Sequence, residues 1–510
     1  MKQQDNIDSK TQDLKSTQKT IRSGFMWLGI ANIVSQILDA VSTVVVMMFI
    51  RQAEMGSATL AVQFSKCIEA FIALGVGKAL VQDNDLTESE THSLFWFSCI
   101  FGLILAGCFV PVAWGLSWFY DNDYLVVLFL VCLIDIFFLN IGEVPKKIVE
   151  RRLEYARCTV IFVMATLASG LVKIALAICG TGAWSLVGSY LAYGFVFMIT
   201  AFAVSGYKPE LHFKLSECRR FVQFGYKYCF SNLIETLNKN IHYFVIGKYF
   251  DEAILGVYRV GYELAMTPAM ALLNVVNQSS YAVFAKIKDK KDELSKIFAW
   301  NQGNIAIFAA VPIVFILFCS VDIFSLINHG EWMGAVAFIP LALGVAFVKS
   351  LLQTFPELYR ACGKPGYSLK SDTFECILIT VFFLSSMLLC KYTGISDDNA
   401  IRVLFGSWLV LFIPLFFYHR RLAKTLIDTG LRSTLKSIFK AIVFFVVSFG
   451  LSLPLWLNRE LLPAEITVPG WISETPLPLQ QWLHMGIEVI ILLVCIGIYI
   501  KWVKKSPVVK

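Results

Sequence analysis

Long uninterrupted apolar stretches recur along this 510-residue chain, and they constrain its fold more than any other feature. A helix needs about 20 apolar residues to cross the roughly 30 Å hydrocarbon layer of a bilayer, and several stretches exceed that length. Strands of a membrane barrel would instead be about ten residues long, with strict alternation. Because a helix satisfies its own backbone polar groups inside hydrocarbon, the pattern predicts an all-α polytopic membrane protein.

The composition agrees with a membrane location. The chain is 57% hydrophobic and only 16% charged, whereas soluble domains have about 25% charged residues. The net charge of +7 could suggest a nucleic-acid partner, but the basic residues cluster in short loops between apolar stretches, where they orient a membrane protein. The 13 cysteines form no C-x-x-C pair, so we expect no disulfide framework, no metal site and no cofactor.

Fourteen transmembrane helices are predicted, with both termini on the cytoplasmic side. This topology puts most loop lysines and arginines in the cytoplasm, as the positive-inside rule requires. One loop placed inside, QDNDLTESETH after span 2, is acidic instead. The predicted spans are 24–50, 57–82, 93–118, 123–145, 156–179, 184–205, 221–247, 254–283, 303–327, 333–356, 372–392, 399–419, 435–457 and 481–503.

Four of these spans carry polar residues three or four positions apart, which places them on one helix face. A charge near the centre of a span costs about 2.5–3.5 kcal/mol even on a lenient scale, so these faces should avoid lipid. They either pair across packed helices or line a water-filled cavity, and four together favour the cavity. The polar faces are Asn32, Ser35, Gln36, Asp39, Ser42 and Thr43 (span 1); Thr59, Gln63, Lys66 and Glu69, with Lys78 (span 2); Lys227, Ser231, Glu235, Asn238, Lys239 and His242 (span 7); and Arg259, Tyr262, Glu263, Thr267, Asn274, Asn277 and Gln278 (span 8).

The recurrence of polar faces in spans 1 and 2 and in spans 7 and 8 indicates a duplicated unit of six helices. Two pseudo-symmetric six-helix lobes with a site between them are a common transporter plan. Other ionisable residues within spans stand alone, and we expect local partners for Asp135, Lys173, Lys349, Glu375 and Glu488. The predicted organisation is a cytoplasmic tail 1–20, an N-lobe 21–205 (spans 1–6), a cytoplasmic linker 206–220, a C-lobe 221–419 (spans 7–12), and 433–510 with two C-terminal helices and a basic tail.

Four motifs resemble one transporter family: EVPKKIVERRLEYAR (143–157), GAWSLVGSYL (182–191), VIGKYFDEAILGVYRVGYELAMTP (245–268) and SYAVFAKIKDKKDEL (280–294). They look like the oligosaccharide flippase branch (Wzx-type, colanic-acid-exporter subgroup) of the multidrug/oligosaccharidyl-lipid/polysaccharide exporter superfamily. With the span order, the resemblance covers about residues 20–440. It implies a two-lobe fold around a central cationic cavity. The expected activity is movement of an undecaprenyl-diphosphate-linked oligosaccharide, an exopolysaccharide or O-antigen repeat unit, to the periplasmic leaflet of the bacterial inner membrane by alternating access.

This resemblance gives the polar residues their expected roles. A diphosphate group needs lysine or arginine in a low-dielectric cavity, which makes Lys66, Lys78, Lys239 and Arg259 the candidate cations. Asn32, Gln36, Asn274 and Asn277 would offer exchangeable hydrogen bonds to the glycan. Asp39, Glu69, Glu235 and Glu263 would balance the cations or bind a coupling H⁺ or Na⁺. The family pattern has an aspartate where HYFVIG places His242, which puts an ion-coupling role at that position in doubt.

Two other functions stay open. A drug or cation antiporter of the same superfamily would need an acid-dominated site, whereas these faces mix both signs. A membrane-bound polysaccharide polymerase or ligase would need a sizeable external loop with catalytic groups, and the longest external loop, 458–480, is small. The chain is therefore predicted to be a transporter rather than an enzyme, with the lipid bilayer, a coupling ion and the polysaccharide polymerase or export machinery as further partners.

Overall fold

The computed structural model describes residues 34–36, 38–72, 77, 80, 86–427, 431–458 and 479–504. Within these residues the fold is helical and contains no strand. The α-helices are α1 Val34–Met47, α2 Gln52–Glu69, α3 Glu88–Tyr120, α4 Tyr124–Arg151, α5 Tyr155–Ile178, α6 Trp184–Ser205, α7 Leu215–Tyr249, α8 Glu252–Ile287, α9 Lys291–Leu326, α10 Ile339–Ala361, α11 Pro365–Thr393, α12 Asp397–Ala423, α13 Leu431–Leu457 and α14 Leu479–Lys504. A 3₁₀ helix, Asn328–Ala337, precedes α10.

The helical membrane fold expected from the sequence is confirmed. Nine helices of the described chain are long and apolar enough to cross a membrane. The helices α7 and α8 are also long, 35 and 36 residues, but they contain the ionisable residues of two predicted polar faces. Because the first predicted span lies partly outside the described residues, the count of fourteen crossings stays a prediction.

Helix ends follow local sequence signals. Thr87 caps α3: its hydroxyl accepts from the Glu90 amide at 3.3 Å, and the Glu90 carboxylate accepts from the Thr87 amide at 3.0 Å. Such a capping box satisfies two amides that the first helical turn leaves free. Gly206 ends α6 in the left-handed conformation, φ 64°. Span 10 was predicted to begin at 333, but the α-helix begins only at Ile339, with a proline in its first turn that favours a new helix start.

The chain divides into two compact units, Met1–Gly256 and Val257–Lys510. This division falls inside α8, so the lobe and linker bounds expected from the sequence stay a prediction. In the first unit α3 packs on α4, and α6 packs on both α4 and α5. One core there consists of Leu139, Val149, Cys158, Ile161, Ala165, Phe197 and Ala201. In the second unit α9 packs on α13 and α14 through a core of Ala306, Ile307, Ala310, Ala441, Phe444 and Cys495.

Two glycines bring α2 and the first turn of α8 together inside the first unit. A Cβ built on Gly56 would lie 1.8 Å from the Glu252 carbonyl oxygen, and one built on Gly256 would lie 2.1 Å from the Gln52 carbonyl oxygen. Each glycine thus faces the residue four positions before the other glycine. An approach this close between backbones requires glycine on both helices. We call this contact the glycine crossing.

The predicted linker is fastened to the start of α3 by polar contacts. Tyr207 Oη lies 2.9 Å from His92 Nδ1. The Ser93 hydroxyl donates to Glu217 Oε2 at 2.6 Å, and His212 Nε2 lies 3.2 Å from the same oxygen. The Ser93 hydrogen bond, followed by that of His212, lowers the pKa of the Glu217 carboxyl below its ordinary value. The segment between α6 and α7 is therefore held against α3.

Candidate functional site

The polar face of α2 points at other helices of the first unit. Lys66 Nζ lies over the Tyr190 ring, 5.5 Å from its centroid, which is within the range of a cation–π interaction. Gln63, one turn earlier, is 2% exposed, and its Oε1 has no hydrogen-bond partner among the described residues. Glu69 ends the helix one turn later and interacts electrostatically with Lys66. The face therefore combines a cation, an acid and an unused amide oxygen.

Asp135 on α4 joins this polar region. It is 1% exposed, and a Cβ built on Gly194 of α6 would lie 1.9 Å from its Oδ1, so the glycine makes room for the carboxyl group. Glu69 is near enough to interact with Asp135 electrostatically. The sequence predicted a local partner for Asp135. In the structure its neighbours are Gly194 of α6 and a second acid, Glu69.

Asp39, a predicted charge-balancing residue, forms an ion pair with Lys173 of α5. The distance from Lys173 Nζ to Asp39 Oδ1 is 2.5 Å, and Thr43 Oγ1 accepts from the same Nζ at 3.3 Å. The lysine side chain is 6% exposed and the aspartate 68%. Lys173 was set aside in the sequence as an isolated charge. The pair neutralises the lysine, and the aspartate keeps most of its surface open.

The predicted polar face of α7 divides into an exposed pair and a buried part. Lys239 Nζ lies 2.8 Å from Glu235 Oε1, and these side chains are 57% and 40% exposed. His242 is completely buried, and Asn238 is 7% exposed. Beyond them α7 packs on α2, where the rings of Phe244 and Phe64 stack 4.1 Å apart. The open part of the face is therefore the Glu235–Lys239 pair.

In the second unit, α8 brings charge and aromatic rings together. Arg259 Nε lies 3.0 Å from Glu263 Oε1, and the arginine side chain is 6% exposed. Tyr262 stacks on Trp408 with 5.8 Å between centroids. Lys349 Nζ lies over the Trp408 ring, 5.2 Å from its centroid. Lys349 also interacts electrostatically with Glu375, so two residues that seemed isolated in the sequence belong to this cluster.

The remaining candidate residues are only partly described. Asn32 and Lys78 lie outside the described residues, as does the side chain of Asn274. Gln36 is half-buried on α1. Asn277 is 9% exposed, and its Oδ1 has no hydrogen-bond partner among the described residues.

Each unit thus contains membrane-embedded cations held by carboxylates or aromatic rings. Such cations can attract an anionic headgroup, and the rings and amides can contact sugars. The sequence did not single out Tyr190 or Trp408, because an aromatic residue in an apolar helix gives no distinguishing signal. No three acidic, histidine or cysteine groups of the described chain form a metal site. A single cavity shared by all four polar faces stays a prediction.

Comparison with known proteins supports the resemblance stated from the motifs. The chain is 22% identical over 451 residues to the teichuronic acid biosynthesis protein TuaB of Bacillus subtilis, covering 86% of this chain and 90% of the relative. It is 21% identical over 444 residues to the lipopolysaccharide biosynthesis protein WzxC of Escherichia coli, covering 86% and 88%.

Solved structures share the fold. The lipid II flippase MurJ, in an inward closed conformation, superposes with a TM-score of 0.65 at 13% identity, covering 93% of this chain and 99% of the flippase. An inward-facing multidrug transporter of the MATE family and MOP superfamily gives 0.61 at 13% identity, covering 78% and 98%. A family profile described as "Polysaccharide biosynthesis protein" matches residues 45–337, more than half of the sequence. These findings confirm the resemblance to the polysaccharide branch of the superfamily, and the chain belongs to the polysaccharide biosynthesis protein family.

Proposed function

We propose that this protein is a flippase, a transporter rather than an enzyme, for an undecaprenyl-diphosphate-linked oligosaccharide. It would move the lipid-linked sugar from the cytoplasmic to the periplasmic leaflet of a bacterial inner membrane by alternating access, with both termini cytoplasmic. The family supports polysaccharide biosynthesis as the process, and the likeness to a lipid II flippase supports the fold that such an activity needs. A coupling ion and a downstream polymerase are part of the proposal.

The exposed ion pair on α7 carries this proposal. Glu235 and Lys239 lie near the middle of predicted span 221–247, yet their side chains are 40% and 57% exposed. Within predicted spans 93–118 and 156–179, by comparison, the similarly exposed residues Leu103 and Leu171 are apolar. Since a charge in hydrocarbon costs about 2.5–3.5 kcal/mol or more, the pair must face water. A wet surface with a lysine, at membrane depth, suits an anionic diphosphate.

The proposed chemistry at this surface is an exchange of ion-pair partners. Lys239 exchanges its carboxylate partner for a phosphate oxygen, and Glu235 remains nearby to favour release. Lys66 and Arg259, together with Lys78, would supply further positive charge along the path. Tyr190 and the Trp408 stack offer the flat apolar surfaces on which sugar rings pack. Weak contacts of this kind allow the glycan to leave after each cycle.

Neutralising Lys239 tests the proposal. The matched control is Lys290, whose pair with Glu293 has a similar distance, 3.0 Å, and similar exposures, 67% and 53%, at the start of α9. Exposed pairs contribute about 0–1 kcal/mol to stability, so neither Lys239→Ala nor Lys290→Ala should unfold the protein. A hydrogen bond to a charged group contributes about 1.5–3 kcal/mol, which predicts at least about a tenfold loss of flipping in Lys239→Ala.

The assay measures surface polysaccharide and accumulated lipid-linked precursor in a strain that lacks its own flippase. We expect Lys239→Ala to accumulate precursor, Lys239→Arg to restore export in part, and Lys290→Ala to behave as wild type. Equal export by the two alanine variants would contradict the proposed site.

A second candidate, drug or cation antiport, is favoured by the likeness to the MATE transporter. That likeness extends over 78% of this chain, compared with 93% for the lipid II flippase. Resistance of an efflux-deficient host to cationic drugs separates the two functions. We expect expression of the protein to give this host no drug resistance. Resistance that the wild type confers and Glu235→Gln does not would favour antiport.

A further inference from the structure

A further buried polar group lies in the second unit, between α9 and the two C-terminal helices α13 and α14, which fall outside the predicted six-helix repeat. Asp322 of α9, Ser448 and Ser452 of α13, and His484 and Glu488 of α14 are 6%, 0%, 0%, 0% and 0% exposed. The apolar cores around them hold the same three helices together. Packing alone would be served by apolar residues, because buried ionisable groups gain little stability.

The hydrogen bonds of this group leave three side-chain atoms unused among the described residues, Ser448 Oγ on α13 and two atoms on α14. His484 Nδ1 lies 2.6 Å from Asp322 Oδ2. The Ser452 hydroxyl donates to Glu488 Oε1. His484 Nε2 and Glu488 Oε2 have no hydrogen-bond partner among the described residues. His484 and Glu488 are four residues apart, so their unused atoms belong to one face of α14, and the two groups interact electrostatically.

The charges of the group do not balance without protons. With Asp322 ionised, a protonated His484 makes a neutral pair, and Glu488 is then neutral only when it carries a proton of its own. Among the described residues facing this group, α9 contributes one further titratable side chain, the Cys319 thiol, which interacts with both acids. The members of the group on α13 are the two buried serines, and no charged residue occurs in that helix from Ser448 to Leu457.

We propose that Asp322, His484 and Glu488 form a proton-binding site that loads and releases one proton in each transport cycle. Nε2 of neutral His484, whose Nδ1–H is held by Asp322, accepts the proton and becomes an imidazolium beside that carboxylate. On release the proton returns to water, and the histidine regains its neutral tautomer. Glu488 sets the net charge of the site, and the hydrogen bond from Ser452 orients the Glu488 carboxyl group. This inference rests on the proposed flippase function, because it assigns the coupling ion and places it on α9, α13 and α14.

The geometry favours a proton over a metal ion. No group of three metal-ligating side chains occurs in the described chain, and an imidazole–carboxylate pair is an ordinary proton acceptor near neutral pH. This position also differs from that of the acids expected from the sequence to bind a coupling ion, Asp39, Glu69, Glu235 and Glu263, which lie on α1, α2, α7 and α8.

The first test uses purified full-length protein in liposomes with a fluorescent lipid-linked oligosaccharide. We expect an imposed pH gradient to raise the wild-type flipping rate several-fold. Glu488→Gln, which keeps the Ser452 hydrogen bond, and His484→Gln should still flip the lipid, but at a rate that the gradient no longer changes. The control, Glu293→Gln on the surface of α9, should respond as wild type. Retention of the full response by both site variants, or a response to a sodium gradient alone, would overturn the proposal.

The second test does not depend on transport. Infrared difference spectra between pH 5 and pH 9 should contain the imidazole–imidazolium ring bands of His484, which the wild type and Glu293→Gln share and which His484→Gln lacks. Identical imidazole bands in the wild type and in His484→Gln would overturn the proton site even if flipping is observed. If the wild type shows the bands of His484 but flips no lipid-linked oligosaccharide, the proposed function fails while proton binding stands. Should His484→Gln fail to fold, Asp322→Asn must then alter these bands for the proposal to survive.

Discussion

Replacing Gly56 by alanine should separate α2 from the first turn of α8 at the glycine crossing. The new Cβ would start 1.8 Å from the Glu252 carbonyl oxygen, and real Cβ contacts are essentially never shorter than 3.0 Å. The helices must therefore move apart by about 1.2 Å. The obstructing atom is a backbone oxygen, so no side chain can rotate away, and the cost should be near the upper end of the usual range of about 1–3 kcal/mol.

A second effect opposes this cost. Alanine stabilises a helix interior by about 1 kcal/mol relative to glycine, which leaves a net loss of about 2 kcal/mol for Gly56→Ala. In a unit of this size each kcal/mol shifts the unfolding midpoint by about 2–4 °C, so we expect the apparent Tm to fall by about 4–8 °C. Gly256→Ala should act in the same way with a somewhat smaller shift, because its Cβ starts 2.1 Å from the Gln52 carbonyl oxygen.

Gly107→Ala in α3 is the matched control, because nothing lies within 4 Å of a Cβ at that position. The assay is thermal unfolding of the purified full-length protein in one detergent, followed by loss of the monodisperse elution peak. Gly107→Ala should unfold at the wild-type temperature or slightly above it. An apparent Tm of Gly56→Ala indistinguishable from that of Gly107→Ala would refute the crossing. The double variant Gly56→Ala/Gly256→Ala should lose less than the two single losses together, since one separation relieves both clashes.

Three further predictions concern other contacts. Asp39→Asn should destabilise the protein by about 2 kcal/mol more than Lys173→Met, seen as a larger fall in apparent Tm, because it removes the carboxylate from a buried ammonium whereas Lys173→Met leaves an exposed carboxylate. Equal losses would be inconsistent with the Asp39–Lys173 ion pair. A double-mutant cycle of Lys349→Met and Trp408→Leu should give a coupling of about 0.5–2 kcal/mol from the cation–π contact, and zero coupling would exclude it. Folding lowers the pKa of Glu217, so the ionised carboxylate stabilises the folded state when the pH is above the ordinary pKa of glutamate, and this stabilisation is lost as the pH falls through the lowered pKa. The difference in apparent Tm between wild type and Glu217→Gln should therefore be present at neutral pH and disappear on acidification. A difference that grows in acid would contradict this sign.

The helices themselves could be predicted from apolar length. Predicted span 93–118 lies within α3, and predicted span 184–205 coincides with α6. The helices often continue past the apolar stretch, as α4 does to Arg151, because polar residues outside the hydrocarbon do not end a helix. A helix ends where the backbone demands it, for example at Gly394 with φ 63°.

The partners of the buried charges could not be predicted, for a physical reason. A polar face shows the direction in which a side chain points, but the depth and rotation of the neighbouring helix depend on packing over the whole unit. Lys173 and Asp39 are 134 residues apart, and His484 and Asp322 are 162 apart. Each of these residues, taken alone in an apolar stretch, gives no sign of the other.

The glycines of the crossing stand at similar places in the sequence, Gly56 just before predicted span 57–82 and Gly256 at the start of predicted span 254–283. The sequence does not reveal that their helices touch. The same holds for Trp408, which reads as an ordinary core residue until Lys349 is seen above its ring.

The most direct test of the proposed function measures transbilayer movement with purified components. Liposomes are prepared with an undecaprenyl-diphosphate-linked oligosaccharide in both leaflets, and a glycan-cleaving enzyme is added outside. With the protein present, nearly all of the glycan should become accessible to the enzyme, and Lys239→Ala should slow this step while Lys290→Ala does not. Cleavage that stops at the outer leaflet, as in liposomes without protein, would contradict the flippase function.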